Sequence, residues 1–120
     1  MSEPVWVWTG RPATRGSVQA AAPRGWGPLV GRLYDDLLAA GWDGRLVQVK
    51  EKLAGLRFYV EREPPAVRAL VRAAMTESLR TCEVCGEAGG RSERASGWLS
   101  TLCAPHASDP RPAWVQAREL

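Results

Sequence analysis

The chain has 120 residues, 45% of them hydrophobic and 24% charged, with a formal net charge of +3 at pH 7. That is ordinary for a globular protein of one domain with a tail, and it holds no internal repeat or low-complexity block. So small a charge permits nucleic-acid binding without demanding it, and no apolar run reaches the length of a membrane span.

Residues 1–25 read as an N-terminal arm or loop, rich in Gly, Pro, Arg and Ala around Val5-Trp6-Val7-Trp8. The patch suits a short edge strand or a docked arm, and residues 9–25 read as loop. It is too short for a signal-peptide core, and Glu3 precedes it where a positive region is expected, so the chain is expected to be cytoplasmic.

Residues 26–81 form the expected core. Pro28 fits a first helical residue and Gly41 the position just past a helix end. Between them Val30, Leu33, Tyr34, Leu37 and Leu38 recur at helical spacing, with Asp35 and Asp36 on the opposite, solvated side. Two alternating stretches follow, Val47 and Val49 and then Leu56, Phe58 and Val60. Leu53-Ala54-Gly55 lies between them, with Gly55 the residue able to adopt positive φ. This predicts an antiparallel hairpin. After the break at Pro64-Pro65, residues Val67, Leu70, Val71, Ala74 and Leu79 mark a second amphipathic helix.

The chain's three cysteines and one histidine all fall in the next segment, as a C-x-x-C pair (Cys82, Cys85) and a C-x-x-H pair (Cys103, His106). Three thiolates and an imidazole at these spacings make a closed tetrahedral set for structural Zn²⁺. Gly86 lets the backbone reverse after the first pair, Trp98–Leu102 can lead as a strand into Cys103, and Pro105 suits the start of a short helix. Knuckle, hairpin and helix start together predict a treble-clef-like module over residues 82–108, with a zinc ribbon as the second choice. A buried cysteine set with a surface histidine is the plain alternative. A redox C-x-x-C is another, but no thioredoxin-like βαβ pattern surrounds it. Residues 109–120 read as a tail, forming one helical turn or none.

If His106 binds metal, no histidine remains for a nucleophile pair or for an HNH-type nuclease. Four protein ligands also leave no open position of the kind catalytic zinc keeps. There is no Walker A motif or dinucleotide-binding glycine fingerprint. The expectation is a non-enzyme with no small-molecule substrate, a hydrolase using carboxylates such as Asp35, Asp36 or Glu51 being a distant alternative.

The hairpin stretch Val49-Lys50-Glu51-Lys52-Leu53-Ala54-Gly55-Leu56-Arg57-Phe58-Tyr59-Val60 offers a basic-aromatic surface, or simply a solvated sheet face. With ESLRTCEVCGEAG and GWLSTLCAPH, QVKEKLAGLRFYVE resembles a group of small bacterial and phage-encoded proteins of unassigned function. In that group a K-E-K-F-G-G-L-R-F-Y-like stretch precedes C-E-x-C-G and T-L-C-x-x-H pairs. The resemblance spans roughly residues 26–107 and departs at Leu53-Ala54, where the group usually has Phe-Gly. It implies Cys82, Cys85, Cys103 and His106 as metal ligands and singles out Lys50, Glu51, Lys52, Gly55, Arg57 and Tyr59 as a binding surface. The loop arginines Arg91 and Arg94 are further candidates for nucleic-acid contact.

Trp26, Trp42 and Trp98 flank elements and are expected as core or turn anchors. Trp6, Trp8 and Trp114 lie where exposure is costly unless they dock or meet a partner. The sequence thus predicts an α+β domain that engages a protein partner, with nucleic acid the alternative target and no membrane association; the resemblance implies a phage or mobile-element accessory acting on a host protein.

Overall fold

A computed structural model describes residues 3–120. The fold is α+β, with a three-stranded sheet of order β1-β2-β3, a separate two-stranded sheet β4-β5, and helices packed on both sides of this division in the chain.

The arm is more ordered than its composition predicts. β1 (Val5–Trp6) pairs parallel to β2 (Arg45–Lys52) as an edge strand, which agrees with one of the two expectations. Residues 9–25 are not all loop, however. α1 (Arg15–Ala20) forms there because the Thr14 hydroxyl caps it, accepting from the Ser17 amide at 3.2 Å, and because Val18 has a fully buried site to fill. The helix is too short for a periodic signal, so propensity alone does not reveal it. The buried Tyr34 hydroxyl donates to the Ala13 carbonyl at 2.8 Å and fixes the arm to the next helix.

α2 (Gly27–Ala39) follows a 3-10 turn, Arg24–Trp26. Pro28 lies in its first turn, and Gly41, at φ 83°, accepts the left-handed position past its end. Val30, Leu33, Tyr34 and Leu37 are buried as the spacing predicts, Leu38 is only half-buried at the edge of the core, and Leu29 is buried in addition. Asp35 is exposed but not merely solvated, since Arg15 of α1 grips it through Nε and one Nη, each donating to a carboxylate oxygen at 3.0 Å. An exposed pair of this kind contributes little, because solvent screens it.

β2 and β3 (Gly55–Val60) form the predicted hairpin in antiparallel register, with Lys52 opposite Gly55, Lys50 opposite Arg57 and Val49 opposite Phe58. The turn differs from expectation. Leu53 (φ 53°) and Ala54 (φ 71°) take the positive φ values, while Gly55 does not. A two-residue loop between paired strands demands φ > 0 at both central residues, which places the strain on the loop itself rather than on the first strand residue.

α3 (Pro65–Ser78) packs on α2 and β3, and buries Val67, Val71 and Ala74. Leu79 does not continue its apolar face; it caps the helix and is 50% exposed. The main core joins these faces around Trp26, Trp42, Leu37 and Phe58. A second, smaller cluster holds Cys82, Val84 and Leu102. Full burial of such side chains is worth about 1.5–3 kcal/mol each, so the small cluster alone is a thin foundation for the C-terminal segment.

That segment contains β4 (Gly90–Glu93), β5 (Leu99–Leu102), α4 (Ala104–Ser108) and α5 (Ala113–Ala117). The last helix settles the reading of residues 109–120. It is held by Gln116, whose side-chain amide donates to the carbonyls of His106 and Arg111 at 3.1 and 2.8 Å. Among the described residues no helix is long and apolar enough to cross a membrane.

Candidate metal centre

The first ligand pair sits on a turn closed by backbone hydrogen bonds. The Gly86 amide donates to the Cys82 carbonyl at 3.0 Å, and the Cys82 amide donates to the Glu87 carbonyl at 2.8 Å. Gly86, at φ 82°, makes the reversal that its place after Cys85 suggests. The second pair comes from the end of the β4-β5 hairpin. Cys103 caps α4 and Pro105 lies in the first turn, which brings His106 round to the thiolates.

The four ligand atoms all lie within 4.8 Å of one another. Cys85 Sγ and Cys103 Sγ are 3.7 Å apart, and His106 Nδ1 is 3.2 Å from Cys103 Sγ and 3.6 Å from Cys82 Sγ. Zinc bonds of about 2.3 Å to sulfur and 2.0–2.1 Å to nitrogen, at tetrahedral angles, require edges of about 3.8 Å between sulfurs and about 3.5 Å between sulfur and nitrogen. These three spacings lie near those edges, and the 3.7 Å between Cys85 and Cys103 excludes a disulfide, whose sulfurs sit about 2.05 Å apart. The donor set is therefore compatible with a structural zinc ion held by Cys82, Cys85, Cys103 and His106.

The electrostatics suit a shared site. Burial opposes ionisation of Cys82, but the backbone amides of Cys103, Cys85 and Val84, with the His106 ring, outweigh it and lower the thiol to about 6. At Cys85 burial is again the largest influence, and the neighbouring thiols reinforce it, raising that thiol to about 11. A cation bound between the sulfurs would offset both the burial and the neighbouring charge that oppose ionisation of Cys85.

The knuckle is anchored to the core by close backbone approach. A Cβ on Gly25 would stand 2.0 Å from the Cys82 carbonyl oxygen. The Gly25 amide instead donates to the Glu83 carbonyl at 2.7 Å, and the buried Trp26 indole donates to the Thr81 carbonyl at 2.8 Å. Trp26 is thus an anchor, as expected. Glu83, inside the C-x-x-C loop, is the residue that sequence reasoning missed. It is only 5% exposed, and its carboxylate accepts from the Thr101 amide at 2.6 Å. Burial, chiefly, with the nearby Glu51 charge raises it to about 7. A charged side chain between two cysteines reads as solvated, and nothing local signals that it turns inward.

The hairpin candidates divide between two faces. Lys50 and Arg57 are directly paired, and Tyr59 pairs with Gln48 on the same face, with Lys52 opposite Gly55 at the end. Arg57 also lies against α3, where it shares a cavity with Arg72. Glu51 points the other way, its register partner being the buried Leu56, and accepts from the Ala54 amide at 2.9 Å. Arg91 is exposed on β4, whereas Arg94 is engaged within the protein, donating to the carbonyls of Ala107 and Arg111 at 3.1 and 3.0 Å. Trp42 is buried as expected and Trp6 packs against the core, while Trp98 corrects the expectation of a core or turn anchor, being 62% exposed.

Compared with protein-family models, curated proteins and solved structures, the chain finds no significant match.

Proposed function

We propose that the chain is a non-enzymatic, zinc-stabilised binding module of treble-clef-like build that engages a protein partner. One observation carries this reading: the convergence of Cys82, Cys85, Cys103 and His106 within 4.8 Å. These residues are the whole cysteine and histidine content of the chain. A metal with four protein ligands keeps no position for water or substrate, so it contributes folding energy rather than chemistry. Binding then falls to surfaces the metal makes rigid. The resemblance to small bacterial and phage-encoded proteins supports a mobile-element accessory that acts on a host protein, in a reducing, cytoplasmic setting where thiolates persist.

Affinity capture from an extract of the native host tests the partner. A specific protein should be retained by the metal-loaded chain and lost after chelation. Retention of no protein by the loaded chain would contradict the reading.

Nucleic acid is the second reading, favoured by the placement of Lys50 and Arg57 on one face beside Arg72. It requires affinity for generic DNA or RNA that falls steeply as salt rises. Flat binding curves at low salt would remove it.

A further inference from the structure

Two exposed tryptophans line the same pair of adjoining cavities. Trp98, just before β5, is 62% exposed, and Trp114 on α5 is 63% exposed. With Ala113 they border a cavity of about 670 Å³ that includes Glu93, and another of about 360 Å³ that includes Glu51 and Glu83. Trp114 stands on α5, which Gln116 ties down, and the Trp98 carbonyl accepts from the Arg94 amide at 2.9 Å at the mouth of the β4-β5 hairpin, so their exposure is built into the fold.

The smaller cavity is acidic at its most buried point. Glu83 is 5% exposed and gives one carboxylate oxygen to the Thr101 amide; the other accepts no hydrogen bond among the described residues. Glu51 likewise gives one oxygen to the Ala54 amide. Two arginines also line the pair of cavities. Arg94 is fixed on backbone carbonyls, which leaves the exposed Arg24 as the opposing charge. Trp114 already receives a guanidinium, because Arg118 Cζ stands 5.4 Å from its ring centroid.

Resting on the reading of a protein-binding module, we propose that this cleft receives an arginine side chain from an extended segment of the partner protein. Because Arg118 already covers Trp114, the guanidinium stacks on the Trp98 face and donates to the free oxygens of Glu51 and Glu83. Arginine fits better than lysine because its planar group stacks and donates at the same time. Tryptophan faces give a hard metal cation no oxygen ligands. A nucleic acid would stack its bases here but bring its phosphates against Glu51, Glu83 and Glu93.

The full chain, purified with its metal, is panned against a random peptide library. Enriched peptides should share an arginine, and replacing it by citrulline, which keeps the shape and removes the charge, should weaken binding about tenfold or more. Trp98→Ala and Glu51→Gln should weaken it similarly while zinc content and circular dichroism stay unchanged. Absence of enrichment, enrichment of peptides without arginine, or unchanged binding by Trp98→Ala would each overturn the proposal. So would preferential binding of an oligo-dT probe, or a dimer that dissociates in Trp98→Ala, which assigns the cleft to bases or to a second copy. If the Trp98→Ala/Trp114→Ala variant still captures the partner from extract, the protein-binding reading stands and only this cleft falls.

Discussion

The Thr101 hydroxyl donates to the Ala54 carbonyl at 2.7 Å, joining the strand that leads into Cys103 to the tip of the β2-β3 hairpin. Both residues are buried, Thr101 at 1% exposure and Ala54 at 2%. The metal segment and the hairpin are therefore one structural unit, although they lie far apart in sequence. Thr101→Val keeps the shape and deletes the donor, leaving a buried carbonyl unpaired. It should cost about 1–3 kcal/mol in chemical denaturation. An unchanged midpoint would show that the contact is dispensable.

Ala54 is held in a conformation it does not favour. Left-handed backbone costs a non-glycine residue roughly 1–2 kcal/mol, and both loop residues adopt it. Leu53 is 65% exposed, so replacing it sacrifices little burial. Leu53→Asn, which tolerates this region, should raise stability by about 0.5–1 kcal/mol, read as a higher Tm. A lower Tm would contradict the strain assigned to this turn.

Gly25 makes the opposite case, where the absence of a side chain is essential. With its Cβ position 2.0 Å from the Cys82 carbonyl oxygen, Gly25→Ala must push the 3-10 turn off the knuckle. We expect a loss of about 3 kcal/mol or more and weaker zinc retention under a competing chelator. Gly16→Ala is the control. Nothing lies within 4 Å of its Cβ position in α1, and alanine there should be neutral or add about 0.5–1 kcal/mol. Equal effects of the two would refute the close approach.

Protons should compete with zinc. The thiolates must be unprotonated to bind, so the metal-loaded protein holds fewer protons than the unfolded chain, and its stability falls as pH falls. With Cys82 near 6 before metal binding, acidification should release zinc progressively, the module unfolding in step. A colorimetric zinc indicator read alongside circular dichroism follows both. Release that grows with rising pH would have the wrong sign.

The Cys82, Cys85, Cys103 and His106 cluster was legible because four rare side chains at two short spacings leave few other uses. α2 was legible because Pro28, Gly41 and an apolar stripe agree on one element. What stayed hidden depends on tertiary contact. α1 has only a cap and Val18 to declare it. Glu83 and Trp98 each break the usual match of polarity to exposure, the first by turning inward to the Thr101 amide and the second by standing outside the small core. The turn was half legible. Its place between the strands was readable, but the one glycine there, Gly55, draws the expectation of positive φ that Leu53 and Ala54 in fact adopt.

The central claim is that a metal with four protein ligands builds the C-terminal scaffold, and elemental analysis of the purified protein tests it most directly. The account predicts about one zinc per chain, with loss of the module's fold when the metal is stripped. A protein that purifies free of metal and retains its full cooperative unfolding transition would contradict it.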